Sequence, residues 1–161
     1  MAVRTLPPAA RRPVAAIWFA AIALLFTVLF FMRLSMASHA VILYIVLPSL
    51  AAGIAGYIWG GAILDSSQVR TYGHSVRRGL GVSAGAYAIF AVLYACELPL
   101  LEGERSLGRA GSLFVFALML GPLMVGPMAA ITGMISGITL FGFGRYVFSE
   151  NDKRTSETSG V

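Results

Sequence analysis

The chain has 161 residues, of which 58% are hydrophobic and only 12% are charged, and its mean hydropathy is +0.81. An ordinary soluble protein is about 25% charged, so this composition excludes a soluble globular domain and indicates an integral membrane protein. The net charge is +5, but the basic residues stand in short segments between long apolar runs, which predicts lipid rather than nucleic acid as their partner.

Four apolar runs set the predicted architecture. A helix that crosses a bilayer needs about 20 apolar residues. Runs of about that length or longer lie at residues 14–32, 40–64, 79–98 and 111–144. The sequence therefore predicts an all-α integral membrane protein, with a single domain over residues 1–149 that is a bundle of four transmembrane helices. Residues 150–161 are polar and unpatterned, which predicts a flexible C-terminal tail.

The first run ends in the bulky stretch FTVLFFM, which is typical of a helix that faces lipid or lies at the periphery of a bundle. A cleaved signal peptide is the alternative interpretation. Its apolar core is typically about 7–15 residues, whereas this run has 19 residues and Arg33 follows it.

The second run carries small residues at helical spacing. On a helix they share one face, and small residues let two membrane helices approach closely, as in the GxxxG motif. They are Ser49, Ala52, Gly53, Gly56 and Gly60. We expect this face to pack against another helix, either within the chain or from another subunit.

The loop that follows is basic, with Arg70, Arg77 and Arg78, and we expect it to contact lipid headgroups. Nine of the twelve Lys and Arg lie in the N-terminal segment, this loop and the C-terminal segment. By the positive-inside rule both termini are predicted to be cytoplasmic. Eleven of the twelve are Arg, which is typical of a GC-rich bacterial genome and favours the bacterial inner membrane.

The third run repeats the small-residue spacing at Gly81 and Gly85, accompanied by Ala84 and Ala88. It also contains Glu97, the one carboxylate within a predicted span. An ionisable group there is a candidate functional residue. Glu97 lies near the outer end, so pairing with a basic residue at the boundary is the structural alternative.

The fourth run is too long for one straight crossing, because its 34 residues would extend about 51 Å as a helix. Pro122 and Pro127 each remove a helical hydrogen-bond donor and predict a kink. Transporters use such broken helices to coordinate ions, although prolines kink helices without that role. Ala129, Gly133 and Gly137 form another predicted packing face. Thr132, Ser136 and Thr139 are expected to bond to carbonyls of the preceding turn or to a neighbouring helix.

Few residues in the chain could carry out chemistry. There is no GxSxG, HExxH or phosphate-binding loop motif, which argues against an enzyme. No cofactor or metal is predicted, and ligation of a haem or chlorophyll by His39 is the alternative. No motif is specific enough to name a family.

These features predict a non-catalytic accessory, assembly or scaffolding subunit of a larger membrane complex, with other integral membrane subunits as partners. The alternative is a small oligomeric transporter or channel that uses Glu97 and the broken fourth helix.

Overall fold

The computed structural model describes residues 7–31, 45–65, 71–101 and 107–158. These residues form helices and contain no strand. The elements are α1 (Pro8–Phe31), α2 (Leu47–Trp59) continued by a 3-10 helix (Gly60–Leu64), α3 (Tyr72–Leu101), α4 (Leu107–Met124) and α5 (Gly126–Thr158).

Within the described part of the chain, four segments are long and apolar enough to cross a membrane. They are Ala9–Leu29, Leu47–Leu64, Tyr72–Cys96 and Gly126–Tyr146. The prediction of an all-helical chain with four helices able to span a bilayer is confirmed for these residues.

Three helices, α1, α3 and α4, begin earlier than the apolar pattern predicts, because polar residues are also compatible with helix. α1 starts at Pro8, where a proline costs little since the first N–H of a helix has no partner in any case. α3 starts at Tyr72, and the Thr71 side chain caps its first turn. The N–H of Ser75 donates to the Thr71 carbonyl at 3.2 Å, and the N–H of His74 donates to the Thr71 hydroxyl at 3.4 Å.

The long fourth run is divided into two helices. α4 ends at Met124 and α5 begins at Gly126, with Val125 in a turn between them. The Val125 carbonyl accepts the N–H of Ala129 at 2.9 Å and so starts the hydrogen bonds of α5. Pro127 follows Gly126, and a residue before proline is disfavoured in helical conformation, which favours a break at this point.

α5 continues past its apolar part to Thr158, whereas the sequence predicts a flexible tail from Glu150. The segment from Arg145 to Thr158 contains neither glycine nor proline. A polar composition therefore does not by itself end α5.

The four apolar helices share one core. α1 lies antiparallel to α2, since Ala20 approaches Gly53 while Ala15 approaches Gly60. α3 lies antiparallel to α5 by the same reasoning, because Ser83 meets Gly133 and Ser75 meets Gly137. The buried cluster draws on all four helices and comprises Ala15, Phe19, Ala55, Ile63, Leu64, Val82, Leu140 and Phe141.

One end of the protein collects the start of α1, the end of the 3-10 helix, the start of α3 and the end of the apolar part of α5. Arg11 pairs with Asp65 there, with 2.9 Å between Nη1 and Oδ2. Tyr72 contacts Phe141 edge-on, with ring centroids 5.1 Å apart. We refer to this as the basic end, because it carries Arg11, Arg12, Arg77, Arg78 and Arg145.

Candidate functional site

The glycines of α2 lie against α1. A Cβ built on Gly56 would stand 2.9 Å from the Ala15 carbonyl oxygen and 3.0 Å from the Cβ of Phe19. One on Gly60 would stand 3.0 Å from the Cβ of Ala15. These distances are shorter than ordinary van der Waals contact, so the approach of the two backbones depends on the missing side chains. Of the other predicted residues on this face, Ala52 is buried and Ser49 is half-buried.

The closest helix crossing joins α3 to α5. A Cβ on Gly79 would collide with the Gly133 carbonyl, and one on Gly137 would stand 2.5 Å from the Ser75 carbonyl oxygen. A Cβ on Gly133 would meet the Ser83 hydroxyl. Backbone therefore packs on backbone at this crossing. Ala129, also predicted for this face, is half-buried.

Gly85 provides a third close contact, between α3 and α2. A Cβ at this position would stand 2.8 Å from Cε3 of Trp59. The absence of a side chain at Gly85 leaves room for the indole ring, and any larger residue would require the ring to move.

Gly81 differs from Gly85, the other predicted packing glycine of α3. A Cβ built there would meet nothing within 4 Å. Ala84 and Ala88, which follow it on the same face at intervals of three and four residues, are exposed. We refer to Gly81, Ala84 and Ala88 as the open strip.

Sequence reasoning missed two sets of packing residues. On α3 it selected Gly81 and Gly85, whereas the crossing with α5 uses the series Ser75, Gly79 and Ser83. The sequence did contain the signal for this crossing, because the series has three small residues at intervals of four.

On α1, sequence reasoning emphasised the bulky end of the helix and overlooked Ala15, Ala16 and Ala20, which receive the α2 glycines. The paired alanines of the stretch VAAIWFAA carried that signal.

The hydroxyls of α5 are engaged within their own helix, as the sequence predicts. Thr132 donates to the Met128 carbonyl at 2.8 Å, and Ser136 donates to the Thr132 carbonyl at 2.7 Å. Thr139 donates to the Ile135 carbonyl at 2.7 Å and accepts a hydrogen bond from Trp18 Nε1 at 3.1 Å, which links α1 to α5. No buried side-chain nitrogen or oxygen among the described residues lacks a partner.

α4 is joined to α3 by the hydroxyl of Tyr87, which donates to the Ala117 carbonyl. Pro122 removes the donor that the neighbouring Leu118 carbonyl would otherwise receive. The Tyr87 hydroxyl therefore binds the carbonyl next to the one that Pro122 leaves without a helical donor.

The structure describes the predicted polar residues only in part. His39 and Arg70 lie outside the described residues, and Glu97 lies in α3 with its side chain outside the described part. Arg77 and Arg78 are exposed near the start of α3. Within the described ranges, no three His, Cys, Asp or Glu side chains come together as metal ligands would.

The chain was compared with known protein families, curated proteins and solved structures. None of them matches it.

Proposed function

We propose that this protein is a non-catalytic accessory, assembly or scaffolding subunit of a larger membrane protein complex. The observation that carries the proposal is the open strip of α3. A glycine costs a helix about 1 kcal/mol relative to alanine, and close packing of a neighbour offsets this cost. Gly79 and Gly85 have such neighbours within the chain, whereas Gly81 has open space. A helix from another subunit would provide the contact that Gly81, Ala84 and Ala88 leave open.

The polar side chains also support a structural role. The α5 hydroxyls donate to carbonyls of their own helix, and Arg11 is paired with Asp65. Groups already engaged in this way have hydrogen-bond partners within the chain, which is consistent with a structural rather than a catalytic role.

The experiment places a thiol-reactive photo-cross-linker on Ala84→Cys in a Cys96→Ser background, in native membranes. We expect a discrete adduct with an integral membrane protein. The same cross-linker on Leu24→Cys, an exposed position of α1, should give lipid adducts. Adding Gly81→Leu should reduce the protein adduct at least about tenfold, because leucine fills the space that the partner helix would occupy.

The matched control is Gly111→Leu. A Cβ on Gly111 also meets nothing within 4 Å, but this glycine lies on α4, away from the open strip. The adduct should persist in this variant. An adduct that is insensitive to Gly81→Leu, or labelling of Ala84→Cys by lipid alone, would contradict the proposal.

A small oligomeric transporter or channel is the second candidate, and the break at Val125 favours it. A broken helix frees carbonyls that can coordinate an ion. Proton or cation flux into proteoliposomes, well above that of empty vesicles and abolished by Glu97→Gln, would favour the transporter over the scaffold. An Ala84→Cys adduct with a second copy of this chain, and with no other protein, would also favour the oligomeric transporter or channel.

We also propose that the basic end faces the cytoplasm of a bacterium and that the protein resides in the inner membrane. The support is the positive-inside rule applied to an end that gathers five arginines. In a Cys96→Ser background, His74→Cys, at an exposed position of the basic end, and Gly108→Cys, near the start of α4, should react with an impermeant maleimide from opposite sides of the membrane. In intact spheroplasts only Gly108→Cys should be labelled. Labelling of His74→Cys from the periplasm would overturn this orientation.

A further inference from the structure

Among the side chains that the structure describes, the basic end carries more positive than negative charge. Its described side chains include five arginines, and Asp65 is the one carboxylate among the side chains that the structure describes. That carboxylate is bound to Arg11 at 2.9 Å. Arg12, Arg77 and Arg145 are exposed. An anionic partner at this end would therefore be favoured by charge.

Arg145 is oriented by aromatic packing. Its guanidinium carbon lies 5.7 Å from the centre of the Phe141 ring, within the range of a cation–π contact. Phe141 in turn packs edge-on against Tyr72 at 5.1 Å, so the stack connects α5 to the start of α3. The arrangement holds the cation at the last turn of the apolar part of α5, which ends at Tyr146.

The end of an apolar helix is expected at the headgroup level of a bilayer. Tyr72 and Tyr146 are 51% and 70% exposed, and amphipathic aromatic rings concentrate where hydrocarbon meets headgroups. A guanidinium binds phosphate oxygens through two parallel hydrogen bonds, which an ammonium cannot do. Exposed arginines, exposed tyrosines and the end of an apolar helix are thus found together.

We propose that the basic end binds anionic phospholipids, with Arg145 and Arg77 as ligands of the headgroup phosphate. Arg145 is a residue that the pattern of the second loop did not indicate, since it comes from the last apolar helix. The site does not depend on the open strip or on a protein partner. Failure of the lipid-binding proposal would therefore leave the scaffolding proposal untouched, and the reverse also holds.

The test is native mass spectrometry of the full chain in a non-ionic detergent, titrated with phosphatidylglycerol or phosphatidylcholine. We expect tighter binding of phosphatidylglycerol. A basic residue near an anionic membrane surface contributes about 1 kcal/mol, which is about fivefold in affinity. Arg145→Gln should therefore weaken phosphatidylglycerol binding about fivefold, and Arg77→Gln with Arg145→Gln about 25-fold. Arg145→Lys should recover only part of the loss.

The matched control is Lys153→Gln, which removes the same charge from the same helix but seven residues beyond Tyr146. It should leave phosphatidylglycerol binding within about twofold of the unmodified chain, because this position follows the end of the apolar segment by about two helical turns. Inorganic phosphate at the same concentrations should not compete, which would assign the site to lipid rather than to a free anion. Equal binding of the two lipids, equal losses for Arg145→Gln and Lys153→Gln, or displacement by phosphate would overturn the proposal.

Discussion

Gly79→Leu is expected to prevent the correct packing of α3 on α5. Even the Cβ of the new side chain would collide with the Gly133 carbonyl, and it would stand 3.1 Å from the Cα of Gly137. Both obstacles are backbone, which cannot move aside as a flexible side chain can. Overpacking a well-packed site costs about 1–3 kcal/mol and occasionally more, and we expect a loss of about 3 kcal/mol or more here. Unfolding of the purified protein by SDS in mixed micelles would measure it.

Gly81→Leu is the control for this prediction, since it introduces the same side chain two residues away on the same helix. A Cβ at Gly81 meets no atom within 4 Å, so the purified chain should lose no stability and should gain up to about 1 kcal/mol from the higher helix propensity of leucine. Gly79→Ala should fall between the two. Equal stability of Gly79→Leu and Gly81→Leu would show that α3 and α5 do not cross at these glycines.

Gly56→Leu is expected to separate α1 from α2. A side chain there meets the backbone of Ala15 and Ala16 as well as Phe19, so α1 must move outward and lose contacts along the crossing. We expect a loss of about 1–3 kcal/mol. Tyr57→Leu is the matched control, because Tyr57 is the next residue and is 49% exposed. It should change stability by less than about 0.5 kcal/mol.

A disulfide between α1 and α2 would report the same change directly. A Cβ on Gly53 would lie 3.3 Å from the Cβ of Ala20, near the range of about 3.5–4.5 Å that a disulfide needs. Ala20→Cys with Gly53→Cys, in a Cys96→Ser background, should therefore oxidise readily. Gly56→Leu should slow this reaction strongly while Tyr57→Leu leaves it unchanged. Undiminished oxidation with Gly56→Leu would mean that α1 does not lie against this face.

The class of the protein and its membrane helices could be predicted from the sequence alone. Hydropathy and run length are local properties, and a bilayer imposes a fixed thickness, so four apolar runs suffice to predict four possible spans. The sequence also predicts a kink in the fourth run. Its length exceeds one crossing, and Pro122 and Pro127 flank the turn at Val125.

Which small residues meet which helix was decided only by the tertiary structure. α3 carries two sets of small residues, the series Ser75, Gly79 and Ser83 and the pair Gly81 and Gly85, and spacing alone does not rank them. α5 packs on the first set, Trp59 of α2 lies against Gly85, and Gly81 is left open. In a membrane the helices gain little from hiding apolar side chains, so the choice of face depends on which backbones approach closely enough for contact. The distance between two backbones depends on pairs of residues that are far apart in the chain. The order of residues along one helix therefore does not determine which face is used.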